Sequence, residues 1–512
     1  VNSRNAEISG ARGYHDRTAH SPQSVRSSGH VLDWEIKPAP FKIYPELPAL
    51  PLPREFPALA ADTLTALVAR PEAARPLDLE GLAALLFFTA GVTRTKRYGG
   101  GATVHFRAAP STGALYQTEA YVVAGDVAGL EPGLYHFCPG DFALRRLRAG
   151  DYRGAAALAA ADEALAAAPA TVVLSAIYWR NTWKYQARGY RHLFWDSGTM
   201  LANLLASASA LGTPARLVTG FVDDEMNALL GVDPEKEAAL ILVPVGGAGR
   251  PAPAPPVVSP LQAAVVPLSE REVDYPLLRQ AYEDSCLGSE SEVLDWRERP
   301  VPARPAPPAN LISLPEPRRA SGRPLGETIQ HRGSTREFSG AAISGEDLST
   351  ALYHATRGFP ADAPAGLVDL YINVHAVEGI APGAYAYHPG PHALELLRGG
   401  DVRADSAFLC LEQALGGTSS ATVFFLADLG RVLGRWGNRG YRLANLEAGL
   451  IGGRLYLGAY GQRFGATGLT FFDRDVGEFF SPHAAGKDAL FVTALGRSVQ
   501  GPAKTEVPLR IT

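Results

Sequence analysis

Apolar residues recur at helical spacing most clearly over 180–211, where Leu193, Met200, Leu201, Leu204, Leu205 and Ala208 mark one face of a long segment. Gly198, Ala202, Ala206 and Ser207 lie between them, small enough to admit a second helix at close range. The pattern predicts a core helix that carries Lys184, Tyr185, Arg188, Tyr190 and Arg191 as polar cargo near its start. Helices are also predicted from Thr63 to about Thr89, the second capped by Asp78 with Glu80 in its first turn. Apolar runs predict strands at 119–124, 171–178 and 239–245, and turn signals predict a hairpin at 129–151. An alanine-rich helix is expected at 155–168.

Residues 1–55 break this regularity. They are polar at first and then carry Pro38, Pro40, Pro45, Pro48, Pro51 and Pro53, a density that predicts an extended surface arm. His15, Asp16, Arg17 and His20 within it read as a solvated cap. Proline returns at 249–267 and 298–308 as stiff connections that flank one predicted helix, 275–287.

After this junction the pattern starts again. GLEPGLYHFCPGDFALRRLRAGD at 129–151 pairs without a gap with GIAPGAYAYHPGPHALELLRGGD at 379–401. Arg188-Gly189-Tyr190-Arg191 pairs with Arg439-Gly440-Tyr441-Arg442, and Gly198 with Gly449. The chain therefore divides into an arm (1–55), a first domain (56–248), a junction (249–310) and a second domain (311–512). Two copies of one domain would pack about a pseudo-two-fold axis, as a homodimer does.

Composition narrows the function. Among 512 residues, Lys and Arg number 48 against 52 Asp and Glu, a net charge of -4, so neither nucleic acid nor an anionic membrane is expected as the main partner. Cys138, Cys286 and Cys410 are far apart in sequence, which argues against a disulfide framework or a structural zinc site. With no apolar signal core at the start, a cytoplasmic location is expected.

RAAPSTGALYQTEAYVV, GLEPGLYHF, the WKY of RNTWKYQARGYR, ANLLASASALG followed by RLVTGF, and HRGSTREFSG together resemble the nitroreductase superfamily, and within it the SagB-type dehydrogenases that include azoline oxidases. The resemblance spans almost the whole chain. It implies an α+β fold, two tandem domains packed as a pseudo-homodimer, and FMN at their interface. It also implies that the second half supplies Arg332, Ser334, Arg336 and Arg497, while the first supplies Pro110, Ser111, Gly113, Lys184 and Tyr185.

The halves depart from the family pattern in opposite ways. Gly333 stands where a second arginine is usual, and aligning Leu77 with Ile343 places Ala66, Val68 and Arg70 opposite the three phosphate-binding residues. The Pro110-Ser111-Thr112-Gly113 turn has no Ser-x-Gly counterpart in the second half, and Lys184-Tyr185 is matched by Arg435-Trp436. Complementary losses imply one composite FMN site, because a phosphate dianion needs convergent cationic donors.

In azoline oxidases a base removes the Cα proton while a hydride leaves the neighbouring carbon for the flavin, and the resemblance puts Lys184 or Tyr185 in the role of base. An adjacent ammonium would favour a phenolate, whereas desolvation would favour a neutral amine, so both remain open. The leading expectation is an FMN-dependent dehydrogenase or oxidase acting on a peptide or other small molecule derived from amino acids, with biosynthetic enzymes as partners. The alternatives are an NAD(P)H-dependent nitroreductase or flavin reductase, and a non-catalytic scaffold subunit of a biosynthetic complex.

Overall fold

The repeat in the sequence is a repeat of topology. A computed structural model describes residues 3–71, 75–97, 103–299 and 306–499; most of the second proline run, at 300–305, lies outside them. In the first half, strands Ala49–Pro51, Ala143–Ala149, Gly133–Cys138, Thr118–Ala124, Ala170–Ile177 and Glu237–Val245 pair in that order, all antiparallel. In the second, Ile312–Ser313, Ala393–Gly399, Gly383–His388, Asp369–Val374, Ala421–Ala427 and Asp488–Gly496 repeat the order, and Gly465–Gly468 adds an edge. That edge survives in the first half as single bridges, Ala215 to Val245 and Val218 to Leu242. The two predicted hairpins share a register shift at one place, between Leu134 and Tyr135 and between Ala384 and Tyr385. In each, the tyrosine hydroxyl donates to a carbonyl four residues back, Glu131 O or Ala381 O, at 2.7 Å.

The long helices Gly189–Ala210 and Arg439–Gly461 pack against each other at the centre. Their contact is a reciprocal pair of glycines. A Cβ on Gly198 would sit 2.5 Å from Leu446 O, and one on Gly449 would sit 2.4 Å from Trp195 O. Tyr190 and Tyr441 stack across the axis at 6.4 Å. Arg188 and Arg191 bond Asp473 of the other half, while Arg439 and Arg442 bond Asp223 of the first. These ions are almost fully buried, so each carboxylate holds two guanidiniums that would otherwise be uncompensated in a low dielectric.

Several expectations need correction. The segment 180–211 is two helices: Tyr178–Tyr185 ends before Gly189–Ala210 begins, and Lys184-Tyr185 closes the first. The break passes through Gln186 at φ 51°, ψ -146°, a region that glycine alone adopts easily. Its counterpart is Gly437, at φ 66°, ψ -160°. The alanine-rich stretch likewise splits into Arg153–Ala159 and Ala164–Ala167. The arm contains helices Ser9–Arg17 and Pro22–Arg26, and it is no solvated cap. Tyr14 and His15 are buried against Tyr441, and Asp473 accepts from His20 N. The junction carries two helices, Pro276–Asp284 and Glu290–Arg297, where one was expected.

Candidate functional site

Helix Tyr178–Tyr185 is held at three points. Arg180 pairs with buried Glu119 and donates to Ala39 O, Trp179 Nε1 donates to Ser269 Oγ at 2.8 Å, and Trp183 Nε1 donates to Asp33 O at 2.7 Å. Arm and junction together fix the helix end that carries Lys184 and Tyr185.

The Pro110–Gly113 turn meets that end. A Cβ on Gly113, whose φ is 63°, would stand 2.8 Å from the Tyr185 hydroxyl, so the close approach needs glycine. The turn is built on Asp196 of the long helix, which accepts from Ser111 Oγ at 2.5 Å, Thr112 N at 2.9 Å, Thr112 Oγ1 at 2.7 Å and Gln117 Nε2 at 2.8 Å. Ser111 Oγ also accepts from Tyr116 N, so this hydroxyl, expected to face a ligand, is engaged in shaping the turn. Pro110 O accepts from Thr199 Oγ1. Burial pushes the Asp196 carboxyl up to about 6 in spite of its four donors.

From the second half, helix Leu325–His331 ends on Arg332, which crosses to the first half. Its Nε donates to Ala108 O at 2.9 Å and its Nη2 to Arg107 O at 2.8 Å. Burial pulls its pKa below the ordinary arginine value, and the charge of Arg94 acts in the same direction. Ser334 Oγ lies 3.2 Å from the Tyr456 hydroxyl. Arg336 is exposed, yet its charge bears on both Lys184 and Tyr185. Arg497 lies beside the same segment: its Nε donates to Ala342 O at 2.9 Å and its carbonyl accepts from Ser339 N.

The structure thus brings Arg332, Arg336, Pro110, Gly113, Lys184 and Tyr185 to one seam between the halves. Among the described residues neither Arg332 nor Arg336 has a carboxylate partner, and the one acid of the seam, Asp196, is saturated by donors of the turn. A small cavity of about 10 Å³, room for a single water, lies against the turn between Thr89, Arg107, Pro110, Asp196 and Met200. Buried Arg332, answered by carbonyls alone, and exposed Arg336 beside it fit a phosphate dianion, which would supply the missing counter-charge.

The two candidate bases are pushed in opposite directions. Burial raises the Tyr185 phenol well above its usual value, the Asp196 charge adds to the rise, and Arg336 only partly opposes it. Desolvation lowers the Lys184 ammonium, and Arg336 lowers it further. Lys184 Nζ lies 5.4 Å over the Tyr185 ring, so the ammonium faces the π system rather than the phenol oxygen.

The mirror position is built differently. Counted back from the matched strands Thr118–Ala124 and Asp369–Val374, Arg357 and Gly358 fall opposite Arg107 and Ala108, although Arg357 also caps its helix as Gly91 does in the first half. There the carbonyls accept from Arg454, and Arg70 Nη2 would lie 3.7 Å from a Cβ on Gly358. Arg70, one residue past the cap of Thr63–Val68, is thus the structural partner of Arg332, a four-residue shift from the alignment that placed Ala66 there. The counterparts of Ser334 and Arg336 on that register, Glu72 and Ala74, lie outside the described residues. Helix Glu290–Arg297 covers the position. Trp296 is 1% exposed against Gly220, with its indole donating to Trp436 O, and Arg297 reaches Asp362.

Trp34, 65% exposed, stands edge-on to Trp183 at 5.2 Å near the intact seam. It was missed by the sequence reading, although Val-Leu-Asp-Trp occurs at 31–34 and again at 293–296. Arm and junction are therefore the same element of the repeat, folded back over one position and left open at the other. Asp196, Arg94 and Gln186 carried no comparable signal, since each acts only through residues distant in sequence.

The nitroreductase family model matches residues 73–247 and 329–490. The protein named "Putative nitroreductase MJ1384" of Methanocaldococcus jannaschii is 34% identical over 172 residues, 33% of this chain and 81% of that one. Trifolitoxin-processing protein TfxB of Rhizobium leguminosarum bv. trifolii is 29% identical over 175 residues, 32% of this chain and 46% of its own length. The crystal structure of a "putative nitroreductase" from Anabaena variabilis superposes with a TM-score of 0.76 at 27% identity, covering 96% of this chain and 99% of that one. Among the described residues no helix is long and apolar enough to cross a membrane.

Proposed function

Since this chain belongs to the nitroreductase family, whose members are oxidoreductases, we propose that it is an FMN-dependent dehydrogenase of the SagB type with one flavin site per chain, at the seam between its halves. The observation that carries this reading is Arg332: a buried guanidinium of the second half, answered only by carbonyls of the first, beside the turn that meets Tyr185. Arg332 and Arg336 would hold the phosphate, with Ser334 beside them, and the Pro110–Gly113 turn would border the ring. Arg497, with its Nε engaged by Ala342 O, would add positive charge beside the same segment. Bound FMN would supply the hydride acceptor.

The chain's own part is to place substrate, exclude water and move one proton. Lys184 is the better base, because desolvation and Arg336 both favour its neutral amine. Tyr185, held as a neutral phenol, is a hydrogen-bond donor that orients the substrate. Trp34 of the arm and Tyr275 of the junction pack around Trp183, next to Lys184 and Tyr185. A peptide-derived substrate, with an azoline as first candidate, agrees with the relative named for trifolitoxin processing. Cytoplasmic partner enzymes that make such a ring belong to the same proposal.

Two measurements test it. Flavin per chain after desalting is expected near one, since the mirror position is covered by Trp296, and a value near two refutes the composite site. Arg332→Ala should release the flavin, and anaerobic bleaching by azoline peptides should require Lys184. A second reading, an NAD(P)H-dependent reductase, is favoured by the 34% identity to the archaeal protein; rapid bleaching by NADPH that is indifferent to Lys184→Ala would support it instead.

A further inference from the structure

Outside that seam, three side chains of the second half converge. His388 ends strand Gly383–His388, Glu395 lies on the paired strand Ala393–Gly399, and His483 comes from the loop before the last strand. His388 Nε2 is 2.9 Å from Glu395 Oε2, His483 Nε2 is 3.3 Å from the same oxygen, and all three atoms lie within 4.8 Å of one another. The imidazole planes stand at 88° to each other on either side of the carboxylate oxygen that both nitrogens approach.

We propose that His388 Nε2, Glu395 Oε2 and His483 Nε2 form a site for a divalent transition metal of the Zn2+ type, with the fourth position open to water. Metal–ligand distances near 2 Å in a tetrahedron require ligand atoms about 3.4 Å apart, close to the 2.9 and 3.3 Å from the two nitrogens to Glu395 Oε2. Two histidines and one carboxylate are a borderline donor set that favours zinc and its neighbours over calcium or magnesium.

A second shell is in place. His483 Nδ1 lies 2.9 Å from the Tyr371 hydroxyl, which is 3.3 Å from His483 O and accepts from Lys487 Nζ at 2.9 Å. If Nδ1–H donates to the phenol oxygen and the phenol proton goes to His483 O, every group is satisfied and Nε2 is left unprotonated toward the site. Lys487 in turn pairs with Asp369. The three ligand side chains are 21–31% exposed, which gives an ion a way in. By strand register the first half has Cys138 and Arg145 where the second has His388 and Glu395, so the site belongs to one copy of the repeat. An ion there would tie the 480–487 loop to the hairpin, independently of any flavin.

The test uses the full-length, untagged protein, stripped with EDTA and dialysed. Co2+ titration is read by its visible absorption and Zn2+ titration by calorimetry. The expected result is one ion per chain with an affinity in the micromolar range or tighter, and a Co2+ band of tetrahedral intensity. His388→Gln and Glu395→Gln should each weaken Zn2+ by about tenfold or more, and Tyr371→Phe by roughly tenfold through the second shell. Far-UV circular dichroism of the metal-free variants checks that they fold. Millimolar affinity, or binding that survives both ligand substitutions, would overturn the proposal and leave the cluster as a histidine–carboxylate ion pair.

Discussion

Gly198→Ala perturbs the point on which the whole assembly turns. The added Cβ would lie 2.5 Å from both Leu446 O and Leu450 N and 2.7 Å from Gly449 C. Ordinary contact begins roughly 1 Å farther out, and all three atoms are helix backbone with no rotamer to yield. The long helices must therefore part by several tenths of an ångström along their seam, and a gap of that size forfeits about a quarter to a half of each contact across it. Overpacking of this kind costs about 1–3 kcal/mol, and rigid neighbours place it at the upper end. Alanine returns about 1 kcal/mol of helix propensity, leaving a net loss of roughly 2 kcal/mol. Gly434→Ala is the control. It lies in helix Leu429–Trp436 with no atom within 4 Å of its would-be Cβ, so it should stabilise by up to about 1 kcal/mol. Thermal unfolding of the two variants should move in opposite directions, and on the proposed function Gly198→Ala should also weaken flavin retention, because Arg332 and the Pro110 turn lie on opposite sides of the seam. A Gly198→Ala protein that melts at or above the parent temperature would refute the close-packed crossing.

Three further outcomes are expected. Asp473→Asn leaves Arg188 and Arg191 uncompensated and should cost about 3–5 kcal/mol in unfolding experiments. Burial works against the Asp473 carboxylate but the two arginines outweigh it and hold its folded pKa below the unfolded value of about 3.9; its contribution is thus full above that pH and lost as pH falls further, so the variant should show a shallower acid limb. At Gln186, glycine should be more stable than alanine by about 1 kcal/mol in thermal melts, the reverse of the usual order, because only glycine relaxes the positive φ; alanine equal to glycine would contradict the strain. Turnover should rise with pH to a plateau set by the lowered pKa of Lys184, and Lys184→Ala should remove that limb with a loss of about 10²–10⁴-fold, whereas Tyr185→Phe keeps it.

The fold was legible because the repeat is written in local signals. Turn residues, apolar runs and caps recur at matched places in 129–151 and 379–401, and the structure reproduces even their common register shift. The pairing of Gly198 with Gly449 could be read as well, since an axis brings equivalent positions together. The broken helix could not: 180–211 is helix-prone throughout, and only the docking of Tyr178–Tyr185 on arm and junction forces Gln186 into a glycine-like conformation.

The candidate site divides in the same way. By itself the sequence determined which residue types each half had kept, and therefore that the halves were unequal. The tertiary structure decided what those residues face. It turned Ser111 inward to Asp196, set Arg332 on carbonyls of the other half, tied Arg497 to Ala342 O, and matched Arg332 with Arg70. It also folded Trp296 over one position and left its repeat partner Trp34 exposed near the other. The physical reason is range: propensity, capping and repeat spacing act over a few residues, whereas desolvation, charge pairing and close approach depend on neighbours brought together only when two halves pack across one axis.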